Sequence, residues 1–249
     1  RESFLASLKP DFILVTSLFE GFEGDFVGSI GSLDSSAPVA VILYDLIPLM
    51  NPSDYLNDSI VSDWYYNKVE HCRRADLILS ISESARIEAI EYLDVLGSDI
   101  VNISTAANDE FLPLKLSTTR RDELKEKFKL SEEFLMYSGA SDERKNHFRL
   151  ISAYARLPQL VRSVHQLVFV GRLPEAHRQR FLSHAKNCGL KSGELIVCGQ
   201  VADEELLDLY RLCKAFVFPS WHEGFGLPAL EAMSCGRAVI CSNVSSLPE

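Results

Sequence analysis

Near the C-terminal end of the chain lies the stretch FPSWHEGFGLPALEAM, residues 218–233. The apolar run 215–218 predicts a buried strand, and the two glycines that follow allow tight backbone turns. Pro228 suits the first position of a helix, where its missing N–H would have no partner in any case. The pattern predicts a strand–loop–helix corner whose free N–H groups can bind an anion, with the carboxylates of Glu223 and Glu231 on either side.

The same stretch resembles the E-x7-E motif of retaining nucleotide-sugar glycosyltransferases with the GT-B architecture, glycosyltransferase family 4. The resemblance includes the core G-F-G-L-P-x-L-E and the run G-R-A-V-I at 236–240. It implies that Glu223 binds hydroxyls of the transferred sugar and that Glu231 binds the ribose. It also implies donor contacts from Gly224, Phe225, Gly226 and Leu227. An ordinary strand–loop–helix with surface glutamates is the alternative interpretation.

A second motif, SGASDERKN at 138–146, directly follows the apolar run 134–137, which predicts a strand. Gly139 allows a close backbone approach, and Asn146 can cap the helix that follows. Arg144 and Lys145 place two cations at a helix start, where the helix dipole disfavours positive charge. A bound anion therefore explains the pair better than a solvated surface pair does. The resemblance implies that both cations bind the donor diphosphate and that Gly139 and Asn146 also belong to the donor-binding site.

The resemblance also implies that the turn 199–201, which ends at Val201, contacts the nucleotide base. In the first half of the chain, a predicted strand at 39–43 leads into Tyr44 and Asp45. Tyr44 stands where the family often has a histidine, and the resemblance places it on the acceptor side. Asp45 is the candidate for contact with the acceptor or the transferred sugar. An aspartate capping a turn is the alternative for Asp45.

Two further predictions concern the region that follows. Residues 54–74 carry apolar and aromatic residues at helical spacing, which predicts a helix whose stripe is mostly core. Ser82 follows a predicted strand at 75–80, and the resemblance places it on the acceptor side, at the edge of a cleft. Capping of the next helix explains this serine equally well.

Composition limits the class of protein. Of the 249 residues, 47% are hydrophobic and 24% are charged, and the net charge is −10. The negative charge argues against a broad nucleic-acid surface. No apolar run reaches the roughly 18 residues of a membrane span. The six cysteines form no C-x-x-C pair, so we expect reduced thiols in a cytoplasmic protein rather than a zinc site. Peripheral contact with the inner membrane fits a lipid-linked acceptor.

A shift to polar composition at 113–121 predicts a domain boundary. We expect an acceptor-side domain over residues 1–116 and a donor-binding domain over residues 117–249. The resemblance implies two Rossmann-like α/β domains that face one cleft. It also implies that both domains continue beyond this sequence and are incomplete in it.

The function implied by the resemblance is transfer of a hexose, with retention, to a saccharide or lipid-linked acceptor in polysaccharide or lipopolysaccharide biosynthesis. GDP-mannose is the first expectation for the donor, with UDP-sugars next. No Asp-x-Asp metal motif is visible, so we expect no cofactor and no metal. The expected catalytic residues are Glu223, Arg144, Lys145 and Asp45.

Two other functions remain open from the sequence. A nucleotide-sugar epimerase of similar fold would release an isomerised sugar, whereas a transferase would pass it to an acceptor. A non-catalytic nucleotide-sugar-binding module would do neither.

Overall fold

Strands and helices alternate along the chain, as expected for an α/β protein with parallel sheets. The computed structural model describes residues 2–20, 22, 28–33 and 37–249. The chain forms two units. The first contains residues up to Thr105 together with 223–225 and Glu249, and the second contains residues 106–222 and 226–248. The domain boundary expected after residue 116 stays a prediction.

The first unit is built on a four-stranded parallel sheet in the order β1-β2-β3-β4. Its strands are β1 (Ile13–Val15), β2 (Val39–Leu43), β3 (Leu77–Ser80) and β4 (Ile100–Asn102). All residues of β2 except Ile42 are buried. Its continuous apolar run fits a parallel strand that is covered on both faces.

The described residues of this unit form the helices α1 (Glu2–Ser7), α2 (Ile47–Met50), α3 (Pro52–Tyr55), α4 (Ser59–Arg73) and α5 (Glu83–Leu93). The prediction of one continuous helix over 54–74 is wrong, because the chain leaves the helix between α3 and α4. Asp58 accounts for the break. Its carboxylate accepts hydrogen bonds from the N–H groups of Ile60 at 2.8 Å and Val61 at 3.2 Å, so it caps a new helix.

The second unit contains a five-stranded parallel sheet in the order β7-β6-β5-β8-β9. Its strands are β5 (Glu133–Ser138), β6 (His165–Val170), β7 (Leu195–Gly199), β8 (Ala215–Phe218) and β9 (Ala238–Cys241). Its helices are α6 (Thr118–Phe128), α7 (His147–Ala155), α8 (Gln159–Arg162), α9 (Glu175–Asn187), α10 (Asp203–Leu212) and α11 (Leu227–Ser234).

The strand order of the second sheet reverses between β5 and β8. The connections after β5 lead outward to β6 and β7, whereas β8 continues to β9 on the other side. In open α/β sheets, ligands bind beyond the carboxyl ends of the strands at such a switch point. Both sequence motifs follow these two strands, so the topology brings them to one place.

The six cysteines are free thiols. Cys72, Cys213 and Cys235 are buried, and Cys241 on β9 is exposed. Burial raises the pKa of the Cys72, Cys198 and Cys213 thiols to about 12. Among the residues that the structure describes, no helix has both the length and the apolar composition needed to cross a bilayer.

Candidate functional site

The segments that follow β5 and β8 are hydrogen-bonded to each other. The N–H group of Trp221 donates to the carbonyl oxygen of Arg144 at 2.8 Å. The side-chain amide of Asn146 donates to the carbonyl oxygen of Pro219 at 3.0 Å. These two bonds fix the cation-bearing segment against the loop that leads to Glu223.

Arg144 is held by its neighbours on both sides. Its Nη1 donates to the carbonyl oxygen of His222 at 2.8 Å. Its N–H group donates to Asp142 Oδ1 at 3.0 Å, and its Nε lies 3.6 Å from the same oxygen. The guanidinium is thus positioned by contacts within the second unit, at the end of the central strand.

Lys145 ends a short 3₁₀ turn over Glu143–Lys145 and is buried, with 8% of its surface exposed. Its ammonium lies 5.1 Å from the centroid of the Phe218 ring. A cation over an aromatic face is attracted by the ring quadrupole, which partly compensates for the loss of hydration. The sequence identified Lys145 but not the ring beneath it.

The predicted capping function of Asn146 is wrong. This residue occupies the N-cap position of α7, but its side chain makes no capping bond. A capping side chain normally extends from a backbone in the β region, whereas Asn146 has a left-handed backbone with φ of +62°. The amide is therefore available to Pro219 and links the two motifs.

Gly139 lies where the connections after β5 and β6 come close together. A Cβ atom on Gly139 would lie 2.6 Å from the Tyr137 hydroxyl, and one on Gly171 would lie 2.2 Å from the Gly139 carbonyl oxygen. Neither position has room for a side chain. Gly139 thus lies close to the backbone of Gly171, and its predicted contact with the donor stays a prediction.

Helix α11 begins at Leu227, with Gly226 at the N-cap position and φ of +99°. Pro228 is the second helical residue, one place later than predicted. Because glycine has no side chain, the N-cap residue supplies no side-chain oxygen that could accept a hydrogen bond from the first N–H groups of the helix. The predicted strand–loop–helix corner is confirmed as local structure.

The two glutamates differ in environment. Glu223 is buried, with 6% of its surface exposed, and Glu231 is half-buried. The hydroxyl of Tyr210 donates to Glu231 Oε2 at 2.8 Å. Burial raises the pKa of Glu231, and the Tyr210 hydrogen bond acts in the opposite direction by stabilising the ionised form. Neither glutamate is an ordinary surface residue.

Tyr210 was not among the residues predicted from the sequence. A tyrosine on the buried face of a helix needs a partner for its hydroxyl, and this requirement was the available indication. Burial, followed by the charge of Glu231, raises the pKa of Tyr210 well above its usual value. Tyr210 therefore remains a hydrogen-bond donor to Glu231.

The other predicted donor contacts have these positions. Gly224 is buried, Phe225 is half-buried, and both lie in the stretch 223–225 grouped with the first unit. Val201 follows β7, is partly buried and packs against the hydrophobic core of the second unit. Leu227 is 38% exposed at the start of α11.

In the first unit, Tyr44 and Asp45 line a pocket of about 380 Å³. Ile47 donates its N–H to Asp45 Oδ1 at 3.1 Å, so the turn-capping interpretation of this aspartate is observed. The pocket wall also contains the aromatic rings of Phe19, Tyr55 and Trp64. These rings come from three separate segments of sequence, which is why their convergence was not predicted.

Ser82 has no exposed surface, and its hydroxyl accepts the N–H of Ala85 at 3.0 Å. It caps helix α5, as the alternative interpretation proposed. Within the described part of the chain, no group of three or more histidine, cysteine, aspartate or glutamate residues is arranged to hold a metal ion.

Comparison with known proteins gives the family. Residues 119–249 match the model of the family described as glycosyl transferases group 1. Over all 249 residues the chain is 40% identical to the serotype-specific mannosyltransferase WbdA of Escherichia coli. It is 36% identical over 176 residues, 70% of the chain, to O-antigen chain mannosyltransferase B of the same organism. The chain spans 31% of the first relative's length and 45% of the second's.

Solved structures agree with the fold. The Anabaena protein Alr3699/HepE in complex with UDP and glucose superimposes with a TM-score of 0.74 at 17% identity. The match covers 98% of this chain and 62% of that structure. The lipopolysaccharide glycosyltransferase WaaG gives a TM-score of 0.71 at 15% identity, over 99% of this chain and 64% of that one. The predicted α/β fold with parallel sheets, of the GT-B type, is confirmed.

Both sequence motifs thus lie where a switch point of the second sheet brings them together, and residues 119–249 carry the family match. The chain belongs to the glycosyl transferases group 1 family.

Proposed function

We propose that the protein transfers mannose from GDP-mannose to a growing saccharide, which is free or linked to a lipid, in polysaccharide biosynthesis. One observation carries the proposal: Arg144 and Asn146, which flank Lys145, form direct hydrogen bonds with the loop that leads to Glu223. Two relatives are named as mannosyltransferases, and this supports mannose as the sugar. A neighbouring structure contains UDP and glucose, so a UDP-sugar is the competing donor.

The two cations provide the electrostatic part of the reaction. As the bond between the sugar and the diphosphate of the donor breaks, negative charge accumulates on the departing diphosphate. Positioned cations and N–H groups at that point stabilise the transition state more than the ground state. We assign this function to Arg144, Lys145 and the backbone N–H groups of residues 224–227, and Asn146 holds the segment in place.

The glutamates divide the remaining contacts with the donor. Tyr210 occupies Glu231 Oε2, and the second carboxylate oxygen can accept a hydroxyl of the ribose. Glu223 belongs to the loop that precedes the helix, and we assign it to hydroxyls of the transferred mannose. Gly139 and Val201 complete the donor site through backbone contacts to the phosphates and the base.

The pocket beside Asp45 is the proposed acceptor site. Apolar faces of sugar rings pack on aromatic side chains, and Tyr55 and Trp64 supply such surfaces in the wall. The carboxylate of Asp45 and the hydroxyl of Tyr44 can bind sugar hydroxyls at its edge. A lipid-linked acceptor would bring the protein to the cytoplasmic face of a membrane.

Retention of configuration and independence from metal are further parts of the proposal. Retention follows from the resemblance of the E-x7-E stretch. Metal independence is proposed because two positioned cations can neutralise a diphosphate in place of a metal ion. Transfer by the full-length protein in EDTA should equal transfer without it. Loss of activity in EDTA, with recovery on adding Mg²⁺ or Mn²⁺, would disprove this part.

The main test is a transfer assay on the full-length protein. GDP-mannose, UDP-glucose and UDP-galactose are each supplied with short mannose oligosaccharides and with their lipid-linked forms. We expect release of GDP and extension of the acceptor by one or more hexoses, read by mass spectrometry. Release of an isomerised sugar nucleotide without extension would identify an epimerase instead. Tight nucleotide-sugar binding with neither product would indicate a binding module.

A further inference from the structure

The second unit contains a large cleft between α7 and α9. Its volume is about 710 Å³, and its wall is formed by residues of both helices together with residues 141–143, Asn146 and Trp221. This volume is far larger than a single water or inorganic ion requires. No step of the proposed sugar transfer uses this cleft.

Three arginines line the cleft: Arg149, Arg156 and Arg180. None of them forms an ion pair with a carboxylate of the described residues, whereas Arg178, two positions before Arg180 on α9, pairs with Glu175 at 3.2 Å. The acidic residues of the wall are Asp142, which is bound to Arg144, and the exposed Glu143. In a protein of net charge −10, a concentration of unpaired arginines indicates a site for an anion.

Two buried histidine nitrogens support this interpretation independently. His147 lines the cleft and is 3% exposed, and its Nε2 has no hydrogen-bond partner among the described residues. Nδ1 of His177, also on the wall, is buried without a partner in the same part of the chain. Buried polar atoms are normally paired, so each of these nitrogens is open to a partner from outside the described residues.

The protonation state of His147 suits a hydrogen bond to an anion. Burial, followed by the positive charge of Lys145, lowers the pKa of His147 to about 4. The ring is therefore neutral near pH 7, and it can carry its proton on Nε2 and donate to an oxygen atom. Its faces pack on aromatic rings, with the Phe181 centroid at 4.8 Å, so the ring is held in one orientation.

The cleft also offers apolar surface for more than a bare anion. The Phe148 and Phe181 rings form part of the wall, and the Arg180 guanidinium lies 5.2 Å from the Phe148 centroid. Trp221 is 53% exposed at the cleft. An organic ring can pack between such side chains while the guanidinium groups bind its charged substituent.

We propose that this cleft binds a small organic phosphate, with the phosphate among Arg149, Arg156 and Arg180 and an attached sugar or base ring against Phe148 and Trp221. The site is separate from Arg144 and Lys145 and does not depend on the proposed transfer reaction. Trp221 lines the cleft, and its backbone N–H donates to the carbonyl oxygen of Arg144. The loop that contains Trp221 therefore contacts both the cleft and the cation-bearing segment.

Isothermal titration calorimetry with mannose 6-phosphate, inorganic phosphate and free mannose tests the proposal on the full-length protein. We expect mannose 6-phosphate to bind more tightly than either of the other two. Arg149→Ala and Arg180→Ala should each weaken that binding about tenfold or more, because each removes a charge-assisted hydrogen bond. The matched control is Arg178→Ala on the same helix, which should leave the affinity unchanged.

Other outcomes would overturn the assignment. Loss of binding in Arg144→Ala, with Arg149→Ala and Arg180→Ala unaffected, would place the phosphate at the motif after β5. Equal affinity for inorganic phosphate and mannose 6-phosphate would refute an organic ligand. The expected result for His147→Gln is intermediate. This variant keeps a side-chain hydrogen-bond donor, so it should bind mannose 6-phosphate more weakly than the wild-type protein but more tightly than Arg180→Ala. Absence of binding in the wild-type protein, with a normal thermal transition, would disprove the site.

Discussion

The two halves of the chain carry opposite balances of charge. Residues 1–116 contain 7 lysines and arginines against 19 aspartates and glutamates, a net charge of −12. Residues 117–249 contain 18 against 16, a net charge of +2. The overall charge of −10 therefore conceals a half that can attract anions and a half that repels them.

The local chemistry follows the same division. The second unit places Arg144 and Lys145 at a switch point, and a neighbouring cleft contains three arginines that form no ion pair with the described residues. The first unit instead has a pocket with aromatic walls and the acidic residues Glu20 and Asp45. A nucleotide diphosphate is strongly anionic, whereas a neutral saccharide needs flat apolar surface and hydrogen-bond acceptors. The comparison supports the proposed division into a donor half and an acceptor half.

Removal of both cations should have the largest effect. Each charge-assisted hydrogen bond contributes about 1.5–3 kcal/mol, so Arg144→Ala with Lys145→Ala should weaken GDP binding by at least about 100-fold. Guanosine binding should change little, because it lacks phosphates. Calorimetric titration of both ligands measures the difference, with Arg178→Ala as the control. Equal losses for GDP and guanosine would mean that the double variant damages the fold and not a phosphate site.

The two glutamates should separate binding from transfer. Glu231→Gln should weaken GDP binding about tenfold, since it removes a charged acceptor for the ribose hydroxyl. Glu223→Gln should leave GDP binding nearly intact and lower kcat, because the proposed contact is to the moving sugar. GDP titrations and transfer rates on the same preparations give both quantities. Equal losses of GDP affinity in both variants would refute this assignment.

In the acceptor half, Trp64→Ala should raise the KM for the acceptor several-fold. An aromatic contact is worth about 0.5–1.5 kcal/mol beyond its buried area, which limits the effect. GDP affinity should remain at the wild-type value. Tyr66→Ala is a suitable control, because Tyr66 is a nearby exposed aromatic residue on α4 outside the pocket wall. A change in GDP affinity in Trp64→Ala would contradict the assignment of this pocket to the acceptor.

The smallest effect concerns pH. The Tyr210 hydroxyl lowers the pKa of Glu231 against the upward effect of burial, so Tyr210→Phe should raise that pKa further. Ionised Glu231 is the better acceptor for a ribose hydroxyl, and GDP binding should therefore weaken as pH falls through this pKa. The midpoint should lie at higher pH in Tyr210→Phe than in wild type. An unchanged midpoint would show that Glu231 does not control binding.

Sequence patterns predicted the elements that local residues determine. The strands at 39–43 and 215–218, the glycine-rich corner and the cation pair follow from apolar runs, turn residues and short motifs. The break before α4 was missed because an apolar stripe does not reveal that Asp58 satisfies two N–H groups. The amide of Asn146 was assigned to the wrong partner, because its left-handed backbone is not apparent from residue type.

The features that the sequence did not predict depend on contacts between segments that lie far apart in the chain. Tyr210 bonds to Glu231 across 21 positions, and Phe19 meets Trp64 in one pocket wall across 45. Such pairs depend on strand order, which one sequence does not supply. His147 went unnoticed for the same reason, since its burial depends on packing against Phe169 of β6 and Phe181 of α9.

The unequal exposure of the cysteines makes the protein suited to selective labelling. Alkylation requires a thiolate, which is scarce at Cys72, Cys198 and Cys213 because of their raised pKa values. Cys241 is exposed at the end of β9, the edge strand that pairs with β8. A maleimide fluorophore should therefore attach there before those sites. Replacement of the partly exposed Cys188 would therefore leave Cys241 as a site for an optical reporter next to the strand whose loop carries the E-x7-E motif.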